Sequence, residues 1–157
     1  DFGCVQSPIN AYMLNLGLES LHVRMARHCE NGQAVAEFLA SHPKIAYVNY
    51  CGLPGDKYHA VAEKYLPNGS CGVVSFGVKG GREAAAAFMG HLKIAAIETH
   101  VADARTCCLH PASSTHRQMN DEQLIAAGVQ PDLVRMSCGL EDKNDLIHDI
   151  AQALDQI

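Results

Sequence analysis

Leu133-Val134-Arg135-Met136-Ser137-Cys138-Gly139-Leu140-Glu141-Asp142 compresses a strand, a turn and a helix start into one run. Val134 and Met136 alternate with Leu133, Arg135 and Ser137, the period-two pattern of a strand over Val134 to Cys138 with one covered face. Gly139 interrupts the run. From Asp142 onward, Leu146, Ile150, Leu154 and Ile157 repeat at helical spacing and predict a closing amphipathic helix. Arg135 is thus a charge inside a strand, on the face opposite Val134 and Met136 and shared with Leu133 and Ser137.

Working outward, Asn120 to Ala127 reads as a short helix, with Asn120 as cap, Gln123 at the capping-box position and Gly128 at the end. Cys71 to Lys79, rich in Val and Phe, is the clearest strand; Ile45 to Tyr50 and Lys93 to Ile97 are two more. Tyr58 to Leu66 and the alanine-rich Arg82 to Leu92 are helical. Glu98 to Gln118 shows no period and reads as a long, functional type of loop. At the other end, Ser7-Pro8 starts a helix. Ala11, Leu14, Leu18, Leu21, Met25, His28, Gly32, Val35 and Leu39 then hold one stripe until Pro43. Helices between strands, with too few residues for parallel crossovers, predict an α+β fold. It comprises a small antiparallel or mixed sheet with helices on one face (43–157), led by one long connecting helix (1–42).

The formal net charge of −5 argues against nucleic acid and anionic membranes as partners, and no apolar run is long enough for a bilayer span. The seven cysteines form no disulfide framework, which suits reduced thiols in the cytoplasm. Cys107, Cys108 and His110 lie close in sequence, but no Cys-x-x-Cys pair exists, so no metal is expected. The chain opens on Asp1 rather than Met, which predicts a piece of a longer protein.

The strand pattern leaves two readings of Arg135: a solvated side chain on an open sheet face, or a fork of N–H donors that grips a carboxylate in two places. His110 and His116 bracket Pro-Ala-Ser-Ser-Thr without an Asp spaced for a triad. No Gly-x-Ser-x-Gly elbow is present, and Gly77 to Gly81 is a turn rather than a phosphate loop. Residue patterns alone therefore reach a soluble α+β domain.

A resemblance reaches further. Ser7-Pro8…Asn10-Ala11, Gly17-Leu18-Glu19-Ser20-Leu21, Arg27-His28-Cys29-Glu30-Asn31 and Gly52-Leu53-Pro54 occur in the order found in one enzyme family. Ser75 to Gly81, His110 to His116 and Arg135 to Asp142 continue that order. Over essentially its whole length the chain resembles the pyridoxal 5'-phosphate (PLP) dependent enzymes of cysteine and methionine metabolism. Lys64-Tyr65-Leu66-Pro67 and Ala126-Ala127-Gly128-Val129…Pro131-Asp132-Leu133 are most similar to the O-acetylhomoserine sulfhydrylase branch. The Arg27 to Asn31 stretch resembles methionine γ-lyases equally well, and the cystathionine enzymes stand further off.

The resemblance implies the C-terminal domain of a fold-type I PLP enzyme, a homotetramer in its intact form, acting on a small amino acid. It implies that Arg135 binds the substrate α-carboxylate, that Thr115 lies near the substrate, and that Thr99, His100 and Val101 form the adjoining loop. His100 stands where the family usually has Asn or Ser, and Ala102 where it has Gly. None of the six lysines (Lys44, Lys57, Lys64, Lys79, Lys93, Lys143) has the family's Schiff-base context. No catalytic residue and no cofactor-binding residue is therefore expected in this chain. It should be inactive alone, with its cofactor held by an N-terminal domain that the chain lacks.

Overall fold

The computed structural model describes residues 3–157; Asp1 and Phe2, where the expected connecting helix begins, lie outside the described residues. Five strands form one sheet: β1 (Ile45–Asn49), β2 (Val73–Val78), β3 (Ala96–Ile97), β4 (Cys107–Leu109) and β5 (Leu133–Ser137), in the order β1-β2-β5-β4-β3. Neighbours run antiparallel except β3 and β4, which are parallel, so the sheet is mixed as expected.

Register sorts the two faces. Val74 and Cys108 flank Met136, and Phe76 faces Val134. These residues point to one side and are fully buried. They pack with Val35, Ala36 and Leu39 of α2 (Leu21–Ser41), Ala85, Phe88 and Met89 of α4 (Gly81–His91), and Leu146, Ile150, Ala153 and Leu154 of α6 (Lys143–Asp155). Phe76 and Phe88 meet edge-to-face at 5.8 Å. Each such large side chain contributes about 1.5–3 kcal/mol by leaving water. Ser75 and Leu109 flank Arg135 on the other side of the sheet, which no helix of this layer covers.

Three expectations need correction. The helix expected over 1–42 is two helices, α1 (Pro8–Glu19) and α2, broken at Ser20, whose φ −103° and ψ 4° leave the helical range. A serine side chain competes for local hydrogen bonds. Here Arg24 reaches back to the Ser20 hydroxyl at 3.3 Å and to the Gly17 carbonyl, which the break leaves open. The apolar stripe continues across the break, but only its second half is covered: His28, Gly32, Val35 and Leu39 are buried, whereas α1 buries nothing. Ile9, Tyr12, Met13, Leu14, Leu16 and Leu18 of α1 are all exposed.

The loop expected over Glu98 to Gln118 contains β4 and a 3-10 turn at Pro111–Ser113. Three buried residues show no alternation, so the period-two signal cannot reveal such a strand. The strand expected over Lys93 to Ile97 shortens to Ala96–Ile97, because the backbone N–H groups of Lys93, Ile94 and Ala95 donate to the Asp149 carboxylate instead of a ladder. The short helices stand as expected: α3 (His59–Tyr65), and α5 (Asp121–Ala126) with its Asn120/Gln123 capping box.

Candidate functional site

Arg135 lies at the centre of the sheet, with β2 on one side and β4 on the other. Its side chain enters an open cavity of about 510 Å3 lined by Val73, Ser75, Thr99, Leu109, Thr115 and Leu133, among others. The guanidinium donates through Nη2 to the Thr99 carbonyl at 2.8 Å, and at 3.5 Å to that of His100. Nε is buried and has no partner. The lining contains no carboxylate among the described residues. A half-buried guanidinium with an open N–H and no counter-ion is poised for an anion, since an unmet buried donor costs about 1–3 kcal/mol.

Of the expected site residues, Arg135, Thr115 and Thr99 line this one cavity. Thr115 is exposed, and its hydroxyl pairs with His116 Nδ1 at 2.9 Å. The loop that carries it is braced by His110, which is buried between Ser113 Oγ at 2.9 Å and the Pro131 carbonyl at 2.8 Å. His100 and Val101 are placed differently. His100 offers only its carbonyl to Arg135, while its ring turns to Glu98 at 2.9 Å and Asp103 at 3.6 Å. Val101 lines a small separate cavity of about 130 Å3 beside His28 and Cys138.

Ala102 accounts for a departure noted in the sequence. Its φ of 59° is left-handed, and it is the only non-glycine with positive φ among the described residues. The conformation is held by its N–H, which donates to Ser137 Oγ at 3.0 Å. A Cβ in this region costs about 1–2 kcal/mol, partly offset by the entropy a glycine loses on folding. Ala102→Gly should therefore stabilise the chain by about 0.5–1 kcal/mol. A urea midpoint that stays level or falls would contradict this.

The turn after Arg135 is pinned by residues to which sequence reasoning assigned no role. Thr106 donates to the Glu141 carboxylate from both its N–H (2.7 Å) and its hydroxyl (2.8 Å), and the same hydroxyl accepts from Gly139 N–H at 2.8 Å. Asn31 of α2 donates to the Gly139 and Glu141 carbonyls, both at 2.9 Å. His28 Nδ1 meets the Cys138 carbonyl at 2.7 Å, which makes Nδ1 the protonated nitrogen. A side chain at Gly139 would strike the Ala104 carbonyl oxygen at 2.4 Å, so the turn admits only glycine. Asn31 and Glu141 sit inside two of the quoted motifs, which was the available signal.

Cys107, Cys108 and His110 do not converge as ligands. Cys108 faces the core beside Met136, and both His110 nitrogens are engaged elsewhere. Burial pushes the Cys138 thiol up to about 12. A larger cavity of about 630 Å3 lies between α2 and α3, but Glu30 and Glu63 line it and would repel a carboxylate.

Residues 1–155 match the profile of the Cys/Met metabolism PLP-dependent enzyme family. The chain is 44% identical over 158 residues to the O-acetyl-L-homoserine sulfhydrylase of Leptospira meyeri, covering all of this chain and 36% of that protein. It is 43% identical to the homocysteine synthase of Schizosaccharomyces pombe (99% of this chain, 36% of that one). To the L-methionine gamma-lyase of Fusobacterium nucleatum it is 39% identical (99% and 39%). A crystal structure described as an O-acetylhomoserine (thiol)-lyase of Campylobacter jejuni, with N'-pyridoxyl-lysine-5'-monophosphate, superposes with a TM-score of 0.89. That protein is 38% identical, and the match covers 99% of this chain and 37% of it. The chain thus spans about a third of the length of the relatives it matches.

Proposed function

This chain belongs to the Cys/Met metabolism PLP-dependent enzyme family, and on that premise we propose that it forms the substrate-carboxylate side of an O-acetylhomoserine sulfhydrylase. Such an enzyme replaces the acetate of O-acetylhomoserine by sulfide to give homocysteine. The observation that carries the reading is the Arg135 guanidinium at a cavity whose lining contains no carboxylate among the described residues. A substrate α-carboxylate would accept from it in a charge-assisted bond, while the Thr99 carbonyl holds Nη2 and fixes the plane of the fork. Thr115 and Ser75 offer hydroxyls on the same lining. Fixing the carboxylate fixes the direction of the Cα–H bond, and that orientation sets rate.

PLP supplies the electron sink in this family. The residues of this chain do not fit it. Lys44 bonds the last carbonyls of α6, Lys79 the Pro43 carbonyl, and Lys143 pairs with Glu30. Lys57 and Lys64 lie over Tyr58 and Tyr65. Among the described residues no lysine lines the Arg135 cavity. The lysine would come from a preceding cofactor domain, and the chain by itself is inactive in this reading. The bare apolar residues of α1 support such a domain as its partner, with residues 1–42 as the connection and 43–157 as the substrate-side domain. The intact enzyme would be a cytoplasmic homotetramer.

Degradation of methionine by γ-elimination is the second reading, favoured by the 39% identity to methionine γ-lyases. The intact enzyme, given O-acetylhomoserine with sulfide in one tube and methionine alone in another, separates them. Homocysteine from the first with little 2-oxobutyrate from the second is expected. Rapid 2-oxobutyrate from methionine would replace the sulfhydrylase reading by the lyase.

A further inference from the structure

On the same open face as Arg135 lies a cluster that the substrate site does not use. The parallel pairing of β3 with β4 continues one residue past β3, where Glu98 N–H donates to the Cys108 carbonyl at 3.2 Å. That brings the Glu98 carboxylate beside Cys107. The loop between the strands then folds His100 and Asp103 onto them. We propose that Glu98, His100 and Cys107, with water in the fourth position and Asp103 beside His100, form a binding site for a zinc-class divalent cation.

The geometry is that of a coordination shell closing on one point. The ligand atoms of Glu98, His100 and Cys107 all lie within 4.8 Å of one another. Glu98 Oε2 is 2.9 Å from His100 Nδ1 and 3.8 Å from Cys107 Sγ, and Asp103 Oδ2 is 3.6 Å from the same His100 nitrogen. A tetrahedron with bonds of ~2.0–2.1 Å to O and N and ~2.3 Å to S has edges of about 3.3–3.6 Å. The two printed Glu98 distances lie within about half an ångström of such edges, and the exposed His100 ring needs to move by no more than roughly 1–1.5 Å to complete the face. One thiolate, one imidazole and carboxylates are the donor set of a borderline metal, not of calcium or magnesium, which take oxygen.

A divalent cation at this point would take the Cys107 sulfur as thiolate, releasing its proton to solvent. The present counter-ion is Arg105, 3.2 Å from Glu98 and 3.7 Å from Asp103. It is exposed and can swing away, so it competes with the metal rather than blocking it. Sequence spacing gave no sign of this site because its sulfur ligand lies across a strand pair from its carboxylate. It also adjoins the substrate face: Thr99, between Glu98 and His100, supplies the carbonyl that holds Arg135. The site does not depend on the activity proposed above.

Titration of the chelator-treated chain with Co2+ tests it. One equivalent should bind with the intense visible bands of a tetrahedral ion and a near-ultraviolet thiolate-to-cobalt band. Cys107→Ser should remove the thiolate band. His100→Asn, at a site whose side chain is 60% exposed and bears no core packing, should weaken binding about tenfold or more. Arg105→Ala should tighten it. If Cys107→Ser does not fold, His100→Asn decides alone. Absence of a thiolate band, or one that persists with unchanged affinity in His100→Asn, would overturn the site and assign any metal to other cysteines.

Discussion

Arg135→Ala in the intact enzyme should lower kcat/KM by about 30- to 4,000-fold, the equivalent of ~2–5 kcal/mol for loss of a buried charge partner. The loss follows from what the cavity lacks. Among the described residues no other lysine or arginine lines it, so Arg135 is the one permanent cation this chain offers a substrate carboxylate there. The structural part of the effect should be small, because the side chain gives up one good hydrogen bond, to the Thr99 carbonyl, worth about 1 kcal/mol. Folding stability and activity should therefore separate. Arg135→Lys is the sharper variant: it keeps the charge and loses the two-point fork. It should recover part of the binding, seen in KM, and little of kcat, because a point charge attracts the carboxylate without fixing the Cα–H direction. Full activity in Arg135→Ala would remove the carboxylate role and leave Arg135 as a brace for the Thr99 loop.

What the sequence could and could not show follows from the range of the forces involved. Period-two alternation marked β5 and set Arg135 on the face opposite Val134 and Met136, while Val and Phe content marked β2. The Asn120 cap marked α5 and helical spacing marked α6; in the fold Asn120 and Asp142 each bond an amide within three residues. Arg135 and Thr115 came from family resemblance, and both line the cavity; the resemblance could not tell that the His100 ring points away from it. Contacts between residues far apart in the chain stayed hidden. β4 is three residues long and gains its identity from its neighbours β5 and β3, not from its own pattern. The break at Ser20 was invisible to periodicity because the stripe keeps its phase across it. Thr106, Asn31 and Glu141 act across separations of 33 residues or more, which no local periodicity carries.

Asp149 extends that lesson to stability, and Asp149→Ala should cost about 3 kcal/mol. In sequence it is one polar residue on an amphipathic helix. In the fold it is 4% exposed, and its carboxylate accepts the N–H groups of Lys93 (2.8 Å), Ile94 (2.9 Å) and Ala95 (3.1 Å), with Gln152 Nε2 at 3.1 Å. Gln152, almost one turn along α6, also donates to the His91 carbonyl at the end of α4. Together they fasten the α4–β3 connection to the core. Alanine would strand several backbone donors. Each stranded donor carries a penalty of about 1–3 kcal/mol, reduced where water can enter. For a domain stable by ~5–15 kcal/mol, that is a large fraction. Asp149→Asn keeps the shape but turns an NH2 toward at least one donor, so it should fall between wild type and alanine. Urea midpoints give the order, and hydrogen exchange at Lys93, Ile94 and Ala95 gives the location. A loss below about 0.5 kcal/mol, the range of ordinary surface substitutions, would mean the connection is held by packing alone. Because β3 leads directly into Glu98 and Thr99, the same variant should loosen the loop on Arg135, raising exchange at residues 99–103 even where the core stays folded.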